Sequence, residues 1–484
     1  MRLPLLLIFL FVSSLTIAQN AAFQPFEVDS IAEPRGGMPY LNTFLQTNLR
    51  KPVRAAADGI SGRVILSAII NPDASVSDIT LARSLRPDCD QEAMRVFRLF
   101  RAWRPAYKDG KPVRQLVSVP VAFTKNEPFL YVGGVKISHY DEDEKAVTDS
   151  SQAQYKQLLP LDSVGMPTGD LVVYKRKPKG WAEAVRLPLQ RKKHWKRGPS
   201  KQTLFLTGHQ DADGQWLGRV YTVDETGTLV EQTDYEEGQR VGSAIQYHAN
   251  GVVAEKSDEL TEGYALSSWY PSGQIQQIWQ TGKLKQLERS TPERVLSFWD
   301  STGRQLITEG NGPFLTVKRV ESKRDTTQQT DYTEQGQYVG GLREGIWTGR
   351  YADDSYGYEE RYEKGICQAG KAFSADGDTT RYTEREKQPE FKGGLTGLGE
   401  FLSQNLHYPS DAQRARIEGK VFVSFVVCTD GTLCDYEVLK GVAPSVDQEA
   451  LRVIKKMSGR WKPGYERGKP VRVKYNLPIN FMLH

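Results

Sequence analysis

The sequence is short of the residues that most chemistry needs. Its 484 residues include six His and four Cys. The histidines at 139, 194, 209, 248, 407 and 484 are scattered, and none has zinc-ligand spacing. There is no Gly-x-Ser-x-Gly elbow and no Walker-type loop; Gly-Gly at 36, 133, 340 and 393 reads as turn glycine. Asp141-Glu-Asp-Glu144 reads as a solvated hairpin tip. These absences exclude the common catalytic classes and leave no implied cofactor and no small-molecule substrate, so the expectation is a non-enzyme. Neither sign of charge dominates, with 64 Lys and Arg against 59 Asp and Glu, so bulk charge gives no case for nucleic acid. Long apolar runs are also missing except at the start. There Arg2, the apolar stretch Leu5 to Val12 and the exit Ser13 to Gln19 form a targeting signal. That stretch is shorter than the roughly 20 residues a membrane span needs. Residues 1–18 are expected to be a signal peptide cleaved near Ala18, delivering the chain to the periplasm. The alternatives are an N-terminal anchor in the inner membrane or association with the outer membrane.

The length implies two to four domains. The most informative stretch is Pro389 to Phe481. It opens Pro-Glu-Phe-Lys-Gly-Gly and passes Tyr408-Pro409 to an apolar run, Val421 to Val427, and the turn Thr429-Asp430-Gly431. A helical pattern from Asp447 to Met457, Trp461-Lys-Pro-Gly, Gly468-Lys-Pro-Val-Arg and Leu477-Pro-Ile-Asn-Phe481 complete it. The same features recur in the same order between Glu33 and Phe123. Gly36-Gly37 matches Gly393-Gly394, Asp90-Gln-Glu-Ala93 matches Asp447-Gln-Glu-Ala450, and Gly110-Lys-Pro-Val-Arg114 matches Gly468-Lys-Pro-Val-Arg472. Repetition over a whole module is a fold-level signal. In the first copy, Leu41, Phe44, Leu45 and Leu49 mark one face of a short helix that Pro52 stops. Val64 to Ile70 reads as a strand, and Asn71-Pro-Asp-Ala74 as a turn. Asp90 is expected to cap a second helix bearing Ala93, Val96, Phe97 and Phe100. Trp103 and Trp461 are expected in the cores.

Between the copies the chain is rich in Tyr, Trp, Gly, Asp and Thr. Trp269-Tyr-Pro-Ser-Gly273 and Phe298-Trp-Asp-Ser-Thr-Gly303 each place a glycine after an aromatic and a short polar turn. This reads as stacked β-hairpins with glycines at positive φ. Lys175 to Arg197 carries ten Lys or Arg and one acid, Glu183, with Trp181 and Trp195 interleaved. The reading preferred over a nucleic-acid or anionic-lipid surface is a solvated linker. Cys428 and Cys434 flank the Asp430-Gly431 turn, where they are either a disulfide or two small buried thiols.

The two end modules resemble the C-terminal domain of TonB. The resemblance rests on the Gly-Gly entry, Tyr-Pro, the Asp-Gly hairpin, Trp-x-Pro-Gly, Gly-Lys-x-Val and Leu-Pro-Ile-x-Phe. The first copy departs from it at Ala74, at Lys51 before Pro52, and at Pro105-Ala106. The middle resembles the MORN-repeat variant family of Bacteroidetes-type proteins. The resemblance implies a multi-domain chain in which two α+β modules flank an all-β hairpin-repeat region. Each module would have a three-stranded antiparallel sheet and two helices. The expected limits are 28–125 for module 1, 126–200 for a β-rich basic linker, 201–383 for the repeats and 384–484 for module 2. The implied function is periplasmic protein binding by β-strand addition, linked to TonB-dependent transport. The partner would be an outer-membrane receptor, another envelope protein or a second copy. The implied edge residues are Val471, Val473, Tyr475, Leu477 and Ile479, with Val113, Gln115, Val117 and Val119 in the first copy. Pro478 and Pro120 each remove one donor from these edges. TonB's long Pro-rich spacer has no counterpart here, so force transmission is not expected. The alternative function is an envelope-associated repeat protein whose hairpins bind envelope polymer or mediate assembly.

Overall fold

The computed structural model describes residues 22–195, 203–236, 238–282 and 293–483. The expected signal peptide, 1–18, lies outside them, as do residues 196–197 of the basic stretch. Among the described residues no helix is long and apolar enough to cross a membrane. The chain forms two units, 1–311 and 312–484.

Module 1 begins unit 1. Its helices are α1 (Met38–Asn48), α2 (Val53–Ala57) and α3 (Pro87–Leu99). Its sheet is β1 (Gly62–Ile70), β2 (Val76–Arg83) and β3 (Gln115–Phe123), in the order β2-β1-β3. Alternation sends Val64, Leu66, Ala68 and Ile70 of β1, and Val117, Val119, Val121 and Phe123 of β3, into one core with α1 and α3. Trp103 is buried there too. The short helix α2 adds to the two expected helices. Pro52 stops α1 as anticipated, but it also stands as the N-cap of α2. Asp90 is not a helix cap. The helix starts three residues earlier at Pro87, and the Asp90 carboxylate reaches back to accept from Leu85 N–H at 3.0 Å.

Among the described residues, three antiparallel sheets lie in the sequence between the modules. Six strands between Leu130 and Leu187 make the first, including β4 (Leu171–Lys177) and β5 (Gly180–Leu187). The basic stretch therefore runs through hydrogen-bonded strands instead of a linker loop, and continues into Leu189–Trp195. Ten antiparallel strands between Leu189 and Ile307 make the second sheet. They include β6 (Leu229–Glu236), β7 (Gln239–Tyr247), β8 (Val253–Leu260), β9 (Gly263–Trp269) and β10 (Ile275–Gly282). Its turns repeat one hydrogen bond. Gly214, Gly227, Gly251, Gly273 and Gly303 each donate N–H to the carbonyl three residues back, at 2.8–3.1 Å. The glycines after aromatics in the sequence mark these turns.

Module 1 rests on a row of those turns. Asn48 Oδ1 accepts from Val253 N–H at 2.9 Å, Tyr40 meets Trp299 edge-on at 4.7 Å, and Val252, Trp269 and Ile275 join the module core. A Cβ on Gly273 would come 2.7 Å from the Phe44 ring, so this glycine permits the approach.

Unit 2 opens with a six-stranded antiparallel sheet between Gly312 and Tyr382. Module 2 follows with α4 (Gly394–Asn405), α5 (Ser410–Arg414), β11 (Gly419–Val427), β12 (Leu433–Lys440), α6 (Pro444–Lys455) and β13 (Val473–Phe481). Its sheet order is β12-β11-β13, matching module 1. Trp461 is buried in its core.

Candidate partner-binding edges

The two modules share their central register. β1 and β3 pair without interruption from Gly62↔Phe123 to Ile70↔Gln115, and β11 and β13 from Gly419↔Phe481 to Val427↔Val473. They also share their polar clamps. Glu92 accepts from Arg50 N–H at 2.6 Å and Arg95 Nε at 2.7 Å, while Arg95 Nη2 donates to the Asn48 carbonyl. Glu449 accepts from His407 N–H and Arg452 Nε, both at 2.7 Å, while Arg452 Nη2 donates to the Asn405 carbonyl. Burial disfavours the Glu449 charge, but Arg452 and the His407 N–H outweigh it and hold the carboxyl below its usual range. Asp447 accepts from Val442 N–H at 2.8 Å, as Asp90 does from Leu85. None of these partners was identified in the sequence, although the repeated Asp-Gln-Glu-Ala carries both acids.

β3 and β13 are each one of the two edge strands of their sheets, the other being β2 or β12. In a strand the N–H and C=O of one residue point to the same side, and the side alternates along the chain. Leu116 N–H bonds away from β1, to the Phe23 carbonyl at 2.9 Å. The outward backbone groups of β3 therefore belong to Leu116, Ser118, Pro120 and Ala122. The matching register assigns Lys474, Asn476, Pro478 and Asn480 to the outer side of β13. Pro120 and Pro478 thus each remove a donor from the open side.

The sequence-derived edge residues fall on the other parity or outside these strands. Gln115, Val117, Val119, Leu477 and Ile479 are buried, and Val473 and Tyr475 are half-buried. Their backbone groups face the central strand. Val113 and Val471 lie in short hairpin strands, Lys111–Val113 and Lys469–Val471, which pair with Ala106–Lys108 and Gly464–Glu466. The sequence pattern fell on one edge strand of each module. Apolar residues marked its buried face, whereas the backbone groups on its outer side belong to the positions between them.

The two edges are not equally open. In module 1 Phe23 lies beside β3, donating N–H to the Arg114 carbonyl at 2.8 Å and accepting from Leu116. The Gln115 side chain donates to the Leu116 carbonyl, and Gln46 Nε2 of α1 donates to the Ala122 carbonyl at 2.9 Å. In module 2, among the described residues, no backbone hydrogen bond reaches the outer groups of Lys474, Asn476, Pro478 or Asn480, and all four residues are exposed. The chain before module 2 takes another course. Thr379–Tyr382 pairs into the hairpin sheet, and Glu386–Lys387 pairs with Gly464–Glu466.

Cys428 and Cys434, the candidate disulfide, are free thiols in this structure, as are Cys89 and Cys367. The neighbouring Cys434 and partial burial push the Cys428 thiol up, and Arg472 Nη2 lies 3.3 Å from Cys434 Sγ. Among the described residues no group of three or more His, Cys, Asp or Glu side chains is placed to hold a metal ion.

The family described as Gram-negative bacterial TonB protein C-terminal matches residues 48–124 and 404–483. The two ends of the chain are TonB C-terminal-like modules. Together the matches span about a third of the chain. Among solved structures, the chain is similar to the TonB C-terminal domain of Helicobacter pylori in two solution structures. One, of residues 179–285, is 30% identical with a TM-score of 0.16, covering 19% of this chain and 80% of that one. The other, of residues 194–285, is 30% identical with a TM-score of 0.15, covering 18% and 90%. No curated protein matches the chain.

Proposed function

We propose that this chain is a non-enzymatic periplasmic adaptor that captures an extended segment of an envelope protein by β-strand addition at the outer edge of β13. The observation that carries the reading is the uncovered main chain of Lys474, Asn476 and Asn480 on a TonB C-terminal-like module. An added strand satisfies those groups and gains affinity from them, while the side chains beside the edge select the partner. Pro478 interrupts the ladder, so pairing is strongest over Lys474 to Asn476. Module 1 plays the lesser part, because Phe23 and Gln46 already engage both ends of its edge. Export by residues 1–18, a MORN-type hairpin array and a link to TonB-dependent transport complete this reading.

The test is a photo-crosslinking residue placed at Asn476 and, in a separate protein, at Ser118. The expected result is a protein adduct from position 476 that is lost with Lys474→Pro, and little adduct from 118. Absence of adducts at 476, or equal yields at both positions, would sink the idea.

A further inference from the structure

The ten-stranded sheet of unit 1 has two different faces. Cross-strand register aligns Ile245, Lys256, Ser267 and Ile278 on one of them, and Ile245 and Ile278 pack against the core of module 1. The opposite face carries the rows Thr233, Ala244, Ser257, Leu266 and Gln246, Glu255, Ser268. A cavity of about 310 Å³ opens on this second face. That volume is at the lower end of the range for small-ligand sites.

The cavity has a local cause. The pairing of β6 with β7 slips between Thr233 and Asp234, so Gly242 and Ser243 are extra residues in β7. Gly242 has φ +63° and open space where a Cβ would stand. The next residue in the row is the small Ala244. A bulge bends the strand and redirects its side chains, and here no bulky group fills the space it leaves.

The lining exposes more apolar than polar surface, with hydrogen-bonding groups set among it. Thr233, Gln246, Glu255, Ser257, Tyr264 and Thr281 contribute hydroxyl, amide, carboxyl and phenol groups around Leu266. The charges do not balance. Arg240 is engaged by Glu231 at 2.7 Å and by the Thr233 hydroxyl at 3.2 Å. Glu255 makes no hydrogen bond or ion pair among the described residues. Burial, and then the neighbouring Glu293 and Glu231, push its carboxyl up. Lys256, next in sequence, points to the other face and pairs with Asp258 at 2.9 Å.

A half-buried carboxylate without a cation among the described residues, set among hydroxyls and beside an aromatic ring, matches a ligand that brings its own ammonium and many hydroxyls. We propose that this groove binds an amino-sugar chain, with a ring ammonium at Glu255, hydroxyls on Gln246, Ser257 and Thr233, and a sugar face on Tyr264. The proposal is independent of strand addition at β13.

The full chain is titrated calorimetrically with three tetrasaccharides: glucosamine, N-acetylglucosamine and glucose, all β-1,4-linked. The glucosamine tetramer is expected to bind. Glu255→Gln, which keeps the size of the side chain, is expected to weaken it at least tenfold, and Ala244→Trp, which fills the groove, to abolish binding. Circular dichroism and thermal melts establish that both variants are folded. Failure of all three tetramers to bind overturns the proposal, as does unchanged binding by folded Ala244→Trp. Equal affinity for the N-acetylated tetramer, or no effect of Glu255→Gln, overturns the ammonium–carboxylate assignment.

Discussion

Modules 1 and 2 have the same sheet register, the same Asp hook and the same Glu–Arg clamp, yet they are attached to their surroundings by different parts. Module 1 is held through α1, where Asn48 and Tyr40 meet the turn row. Module 2 is held through its small hairpin. Arg467 Nε donates to Glu360 at 2.8 Å, where the Tyr382 and Tyr362 hydroxyls also donate. Burial works against the Arg467 charge, but Glu360 more than offsets it. The difference teaches that the module core is conserved within this chain independently of its contacts. Whether the outer edge is usable depends on where the neighbouring chain runs.

The largest test of this contrast is the buried ion pair. The Glu360 side chain is fully buried and that of Arg467 is 12% exposed. Arg467→Ala is expected to destabilise unit 2 by about 3 kcal/mol, because it strands a buried carboxylate. The equivalent position in module 1 is the exposed Asp109, and Asp109→Ala should cost no more than about 1 kcal/mol, from its positive φ alone. Denaturant unfolding followed by hydrogen exchange in each unit reads both. Equal effects would break the comparison.

The Asn pair comes next. Asn48→Ala removes the acceptor of a buried Val253 N–H and should cost about 2 kcal/mol in unit 1. Asn405→Ala loses a bond to the Phe401 carbonyl from a half-buried site and should cost less than about 1 kcal/mol. The same denaturation experiment separates them.

Covering of the β3 edge is tested by Phe23→Pro, which deletes the N–H given to Arg114. Exchange of the Leu116 amide should quicken by about tenfold, the equivalent of one modest hydrogen bond. The Asn476 amide should exchange fast with or without the change. Slow exchange at Asn476 in the free protein would mean that its edge is covered.

The acid limb of stability is a smaller effect. The Glu449 carboxyl is held below its ordinary value, so its contribution is complete above the usual Glu range and is lost as pH falls through the lowered value. Unit 2 should weaken as pH drops below about 4.5, and Glu449→Gln should flatten that part of the curve. The smallest expected change is Cys89→Val. Cys89 is buried, its thiol is pushed up to about 11, and module 2 has the buried Val446 at the same place. Stability should shift by less than about 1 kcal/mol. At pH 8 the native Cys89 should resist alkylation while Cys428 and Cys434 react.

Much of this architecture was legible in one sequence because it is written twice. Near-continuous apolar runs identified β1 and β11, the repeated module endings marked β3 and β13, and the apolar stripe from Leu41 to Leu49 identified α1. The helices α2 and α5 were missed because each is five residues long, less than two turns, and too short to show a period. Asp90 was misread because an acid near a helix start has two uses. It can cap the helix, or reach back to the chain before it, and only the position of Leu85 decides between them.

The sequence alone determined the duplicated module, its core residues and the glycine turns of the hairpins. Each of these depends on local periodicity, or on residues that one backbone shape requires. Tertiary structure alone decided which edge is open. Edge availability depends on a pairing between residues far apart, Phe23 with Leu116, and on diversion of Thr379–Tyr382 into another sheet. It also decided that the groove beside Glu255 exists, because a two-residue bulge becomes a cavity only when neighbouring strands set small and polar side chains around it.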